Sequence, residues 1–242
     1  MAAIAVVPED GTYLDTFKGS FTRVPIDAEK DNAIATTEFL EASESLTTMF
    51  DLLGSVAFSP VKKDLLGNIE KVRKRQLAAP LESENLQDLV RNELKSKSHT
   101  ATEGLLWLVR RVALHPQPSK LQPEDPIALE RRKSHTTLTL SLPLSGLEFT
   151  CIALSQNLAN HKHELADSFR DAYGKTLKPH HSFIIKPIFS AAMGACPYRK
   201  DFYGKLGTDE AKVHEELDLY LKALDKIVGI LKGFLETKEA KW

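Results

Sequence analysis

Asp64, Asn68 and Lys71 fall at i, i+4 and i+7 in the stretch Ser59-Pro-Val-Lys-Lys-Asp-Leu-Leu-Gly-Asn-Ile-Glu-Lys71. In a helix that spacing puts all three on one face within two turns. Together they supply an anionic acceptor, an amide that donates and accepts, and a cation. Such a set suits a neutral, hydroxyl-rich ligand such as a sugar, which also donates and accepts hydrogen bonds. The same pattern occurs on ordinary solvated helix faces, so its meaning depends on what else the chain carries. Two later segments bear on it: Gly104-Leu-Leu-Trp-Leu-Val-Arg110 and His181-Ser-Phe-Ile-Ile-Lys-Pro-Ile-Phe189.

Each of these residues also has a plainer reading. Trp107 in a Leu-Leu-Trp-Leu run reads as a core tryptophan, and Phe183 and Tyr198 as ordinary core aromatics. His161 and His163 invite a metal, but no acidic or thiolate partner stands at zinc spacing, and no metal site is expected. Without a nucleophile–base pair near these residues, no catalytic residue is expected. Lys71-Val-Arg-Lys-Arg75 reads as a solvated helix face, with lipid phosphates as a second possible contact. Trp242 reads either as a frayed end or as an interfacial anchor.

The elements that must position these side chains are helical. Residues 1–33 are aperiodic, with Gly11, Gly19 and Pro25, and read as a poorly ordered lead. From Ile34 apolar residues recur at three- and four-residue steps: Phe39, Leu40, Leu46, Met49, Phe50 and Leu53. Gly54 ends that helix. Ser59-Pro60 then predicts an N-cap with proline in the first turn, opening the helix of Asp64, Asn68 and Lys71. Its apolar positions Val61, Leu65, Ile69 and Val72 form a different stripe. Gly67 costs about 1 kcal/mol relative to alanine in a helix. Beside Asn68, it would let a ligand approach the backbone. Further helices are predicted over about 82–94, around Leu105–Leu108, from Gly146 to Asn160, over 161–177, 180–195 and 198–206, and from a Thr208 cap to the C-terminal region. Among these, residues 111–145 stand apart, with five of the 12 prolines and no helical period.

Composition narrows the rest. The 242 residues suit one domain with a sizeable core. A net charge of -1 gives no electrostatic case for nucleic acid. Cys151 and Cys196 do not make a disulfide framework and read as small hydrophobes in a reducing compartment. The first residues lack the basic start of a signal peptide, and no apolar run approaches the roughly 20 residues of a membrane span. A cytoplasmic protein is expected, one that meets membranes transiently from outside.

Several segments together resemble the glycolipid transfer protein family. They are Phe39-Leu-Glu-Ala with Phe50-Asp-Leu-Leu-Gly-Ser, Asp64-Leu-Leu-Gly-Asn-Ile-Glu-Lys71, Leu105-Leu-Trp-Leu-Val-Arg110, His181-Ser-Phe-Ile-Ile, and Ala195-Cys-Pro-Tyr-Arg-Lys-Asp-Phe202. Phenylalanine at 183 makes the chain look most like the fungal, heterokaryon-incompatibility branch. The resemblance implies an all-α, two-layer sandwich of about eight helices enclosing a lipid chain pocket. It implies non-enzymatic binding and intermembrane transfer of a glycosphingolipid, of the glucosylceramide or galactosylceramide class, by a monomer without cofactor. Asp64, Asn68 and Lys71 would bind the sugar headgroup, with Trp107 as its stacking plate. Asp64 and His181 would hold the ceramide amide. Phe183, Lys186 and Tyr198 would touch the membrane. The chains would lie among Phe39, Phe50, Val61, Phe149, Ile152, Leu177, Phe189 and Phe202. Two alternatives share the fold. One is a ceramide-phosphate carrier, in which a cation would replace the stacking tryptophan; Arg110 and Arg111 lie one turn from Trp107. The other is a sphingolipid sensor in fungal signalling.

The family domain is expected over 34–242, interrupted by 111–145. Removing those 35 residues joins Leu-Leu-Trp-Leu-Val-Arg110 directly to Gly146-Leu-Glu-Phe149 as one helix. Insertions inside helices are unusual because loops tolerate them better. The segment therefore reads as a translated retained intron, or else as a flexible loop that splits a helix.

Overall fold

The protein is described by a computed structural model covering residues 6–54, 56–96, 98–109, 146–180, 183 and 185–241. Nine α-helices occur among these residues: α1 (Thr36–Leu52), α2 (Ser59–Ala78), α3 (Leu86–Glu93), α4 (Thr100–Val109), α5 (Gly146–Ala159), α6 (Leu165–Lys175), α7 (Ile185–Gly194), α8 (Arg199–Leu206) and α9 (Glu210–Glu236). The only strands among the described residues, β1 (Ile26–Asp27) and β2 (Ala33–Ile34), form a two-stranded antiparallel hairpin. α2 packs against both α1 and α4; α5 packs against α6 and α9; α4 meets α5 between them. This is the expected all-α sandwich.

α1 buries Phe39, Leu40, Leu46, Met49 and Phe50 along one stripe, and Gly54 ends the segment at φ +115°, where a side chain is strained. α2 starts at the predicted cap itself, one residue earlier than expected. Ser59 is its first helical residue and buried Phe58 takes the N-cap position without a side-chain hydrogen bond. Phe58 is held instead by its ring, stacked on Phe50 at 5.9 Å and edge-on to Phe169 at 5.6 Å. The long C-terminal helix also differs by one residue, because the cap is Asp209, whose side chain accepts from the Lys212 amide.

The expectation of a poorly ordered lead over 1–33 fails for the described part of that segment. Tyr13, Phe17, Phe21 and Val24 are all buried. Phe21 meets Phe39 of α1 at 6.2 Å and Tyr220 of α9 at 5.5 Å, and Phe17 meets Tyr220 at 5.8 Å. Thr12 caps the short turn Tyr13–Thr16 in a reciprocal box with Asp15 and also bonds Glu216 of α9. Burying three aromatic rings outweighs the poor helical propensity of the segment. Their spacing in steps of four was visible in the sequence.

Of the chain-pocket residues, Phe39, Phe50, Val61, Phe149, Leu177, Phe189 and Phe202 are buried in one continuous core. Ile152 is only partly buried, but it packs against the same core. With Ser155, Gln156 and Ala159 it also lines a groove against Asp218 and Lys222 of α9. The core-facing side of α5 is taken by Phe149, Ala153, Leu154 and Asn157, and Ile152 lies off that stripe.

Candidate functional site

α2 sets the site. Its buried stripe runs Val61, Leu65, Asn68, Ile69, Val72. An asparagine on a buried stripe needs partners, since an unpaired buried amide costs about 1–3 kcal/mol. Asn68, 3% exposed, finds them along its own helix. Its Nδ2 donates to Asp64 Oδ2 at 3.1 Å, and its Oδ1 accepts from Lys71 Nζ at 2.9 Å. The predicted triad is therefore a relay of cation, amide and carboxylate. Burial pushes the Asp64 carboxyl up to about 7, against the opposing pull of Lys71 and of the Asn68 hydrogen bond. One Lys71 proton and one Asn68 proton are engaged within the relay. The site thus combines further ammonium donors with a carboxylate acceptor, which is what a polyhydroxyl ligand uses.

α4 closes the site from the side, and Gly104 makes this possible. A Cβ at Gly104 would lie 3.0 Å from the Asn68 carbonyl oxygen and 3.1 Å from Lys71 Cβ. Trp107 follows three residues later, so it leaves α4 near the same face, and it is half-buried. The start of α4 is held by Glu93, the last residue of α3. Its Oε1 accepts from the Ala101 amide at 2.9 Å, and its Oε2 accepts from the Thr102 amide at 2.6 Å and Thr102 Oγ1 at 2.7 Å. Neither Glu93 nor Gly104 was singled out from the sequence. The one available signal was an acidic residue at a helix C-terminus, where the dipole disfavours it.

Other expectations divide. His181, Arg110 and Trp242 lie outside the described residues. Phe183 is 82% and Tyr198 74% exposed, and Lys186 is exposed, so none of the three is a core residue. Other apolar side chains are exposed as well, among them Ile188 on α7 and Val56 in the α1–α2 connection. That connection abuts the turn before Tyr198, with a Cβ at Gly54 lying 3.4 Å from the Ala195 oxygen. The run after Lys71 is partly occupied by ion pairs, Arg73 with Glu44 at 2.7 Å and Arg75 with Glu82 at 2.5 Å. His161 pairs not with His163 but with Arg199 Nη2 at 3.1 Å, and stacks on His214 at 5.0 Å. Burial pushes the Cys151 and Cys196 thiols up to about 12. Gly67 meets nothing within 4 Å and lies on α2 between Asp64 and Lys71.

Comparison with known proteins places this geometry. A fungal glycolipid transfer protein, HET-C2, has a solved structure that superposes with a TM-score of 0.79 at 66% identity, covering 96% of this chain and all of that one. A structure described as showing how FAPP2 selects simple glycosphingolipids superposes with a TM-score of 0.72 at 27% identity, covering 96% and 98%. A glycolipid transfer protein of Aureobasidium melanogenum is 54% identical over 239 residues, covering 99% of this chain and all of the relative. The pleckstrin homology domain-containing family A member 8 of Mus musculus is 29% identical over 93% of this chain, which spans only 38% of that longer protein. The family model for glycolipid transfer protein matches residues 34–116 and 121–208, the stretches that hold the Asp64–Asn68–Lys71 relay, Gly104 and Trp107. The chain belongs to the glycolipid transfer protein family.

Proposed function

We propose that the protein binds a glycosphingolipid of the glucosylceramide or galactosylceramide class and carries it between membranes, as a carrier rather than an enzyme. The observation that carries this reading is the relay from Lys71 through Asn68 to Asp64, flanked by the helix of Trp107, in a family whose similar members are glycolipid transfer proteins. The first sugar bonds Asp64, Asn68 and Lys71 and stacks on Trp107. The ceramide amide is shared by Asp64 and His181. The two chains part the aromatic core around Phe50, Phe149, Phe189 and Phe202. Covering them is necessary, since exposing each CH₂ costs about 0.8 kcal/mol. Phe183, Lys186 and Tyr198 make a transient contact at the membrane surface. The protein acts as a cytoplasmic monomer, and among its described residues no helix is long and apolar enough to cross a membrane.

The test is Asp64→Val in a vesicle-to-vesicle transfer assay. Transfer is expected to be abolished while the helical circular dichroism signal is kept. Normal transfer by the variant would sink the assignment. Native mass spectrometry of the co-purifying lipid identifies the sugar.

Residues 111–145 are proposed to be a translated intron rather than part of the carrier. Gly104 closes on Asn68 and Lys71, and Gly146 closes on Leu65, where a Cβ would lie 2.5 Å from Cδ2. On the joined helix Gly146 would follow Gly104 by seven residues, about two turns, and both glycines lie against α2. Tryptic peptides from within 111–145 in protein from its native source would refute this.

A further inference from the structure

We infer that Glu93, remote in sequence from the relay, is a positioning residue for headgroup recognition, because its carboxylate caps the first turn of the helix that carries Trp107. The inference rests on the sugar reading above. A helix normally satisfies its first amides with a Ser, Thr, Asp or Asn at the N-cap. In α4 the corresponding residue is His99, and the carboxylate that accepts the second and third amides comes from the end of a different helix. Glu93 is 4% exposed, and it stands at the C-terminus of α3, where the local dipole works against a negative charge. Its favourable interactions are with α4: two backbone amides and the Thr102 hydroxyl, each between 2.6 and 2.9 Å. Charge-assisted bonds of this kind are stronger and more directional than neutral ones.

The geometry gives this cap a consequence at the site. α4 has ten residues. Glu93 fixes its position along its axis at Ala101 and Thr102, and Gly104 fixes its approach to α2 against Asn68 and Lys71. Trp107 lies five residues beyond Thr102 and three beyond Gly104. A shift of α4 along its axis would move the indole relative to the relay without touching Asp64, Asn68 or Lys71. Stacking on a sugar ring depends on that offset, whereas enclosure of the chains does not. Glu93 therefore governs preference for a sugar-bearing lipid over its sugar-free counterpart.

Glu93→Gln tests this. The amide keeps one acceptor but turns an NH₂ toward a helix N–H that needs an acceptor. In a Trp242→Phe background Trp107 is the sole tryptophan. Its emission is followed on adding phosphatidylcholine vesicles that contain glucosylceramide or ceramide. The expected result is a fall of about tenfold in the ratio of glucosylceramide to ceramide affinity, as for loss of one charge-assisted bond, with a smaller emission change on sugar lipid. Thr102→Val, which keeps both amide contacts, should give a smaller fall in the same direction and serves if Glu93→Gln does not fold. If affinity for both lipids drops equally and the ratio stays constant, Glu93 only supports the fold and the inference is overturned. If the parent protein itself shows no preference for glucosylceramide, the sugar reading fails, and this inference with it.

Discussion

The Asn68 amide nitrogen lies 3.1 Å from Asp64 Oδ2 on the same helix, although Asn68 is buried and Asp64 stands at the edge of the site. The asparagine thus ties a core position to the carboxylate proposed to meet the ligand. With Lys71 on its other side, it keeps the carboxylate oriented before any ligand arrives. Such preorganisation reduces the ordering cost of binding.

Binding should depend on pH through Asp64. Its carboxyl is raised to about 7 by burial, from an ordinary value of 3.8. Between these values the native state holds the proton more tightly than the unfolded chain. The ionised group therefore disfavours the fold above about pH 7, and that penalty fades as pH falls toward about 4. Asp64→Asn should raise the melting temperature at about pH 8 and change it little near pH 4. A ligand that donates to the carboxylate has the opposite preference. Glycolipid affinity should rise as pH increases through 7, and Asp64→Asn should flatten the profile. Tryptophan fluorescence titrations from about pH 5.5 to about 8.5 read this directly; a flat parent profile would show that the carboxylate is not the acceptor.

Two glycines beside the relay should respond in opposite ways to alanine. At Gly104 the new methyl would press on the Asn68 carbonyl and on Lys71, so Gly104→Ala should destabilise by about 1–2 kcal/mol and weaken glycolipid binding. At Gly67 the space is open, so Gly67→Ala should stabilise by about 0.5–1 kcal/mol. Its methyl would nevertheless project between Asp64 and Lys71, and transfer should fall. Urea unfolding paired with a transfer assay separates the two effects; unchanged transfer in Gly67→Ala would place the ligand away from this face.

The N-terminal segment should behave as core. Phe21 is 2% exposed and touches both Phe39 and Tyr220. Phe21→Ala should cost about 3–5 kcal/mol, as for other buried phenylalanines, measured by equilibrium unfolding. A cost below about 1 kcal/mol would mean that the segment contributes little to the folded state.

Membrane contact should be separable from lipid recognition. Replacing exposed Phe183 and Tyr198 together by alanine should lower adsorption to phosphatidylcholine vesicles and slow transfer. Affinity for a water-soluble short-chain glycolipid should be unaffected. Lys186→Glu should weaken adsorption to anionic vesicles most at low salt, since screening shortens the reach of surface charges. Equal loss of short-chain binding in these variants would move the residues into the headgroup site.

The sequence by itself determined the helical class, the stripe of α1 and the spacing of Asp64, Asn68 and Lys71, because these depend on the helical period and on nearest neighbours. It also carried the Tyr13, Phe17 and Phe21 spacing, within a segment whose glycines and proline read as aperiodic. Only the tertiary structure decided that Asn68 belongs to the buried stripe, that Ile152 packs at the margin of the core beside a groove, and that Phe183 and Tyr198 are exposed. Those outcomes depend on which helix packs on which face. The same holds for the roles of Glu93 and Gly104. A carboxylate that caps another helix, and a hydrogen atom where a methyl would collide, have no periodic signature. Their meaning arises only when α3, α4 and α2 are brought together around the relay.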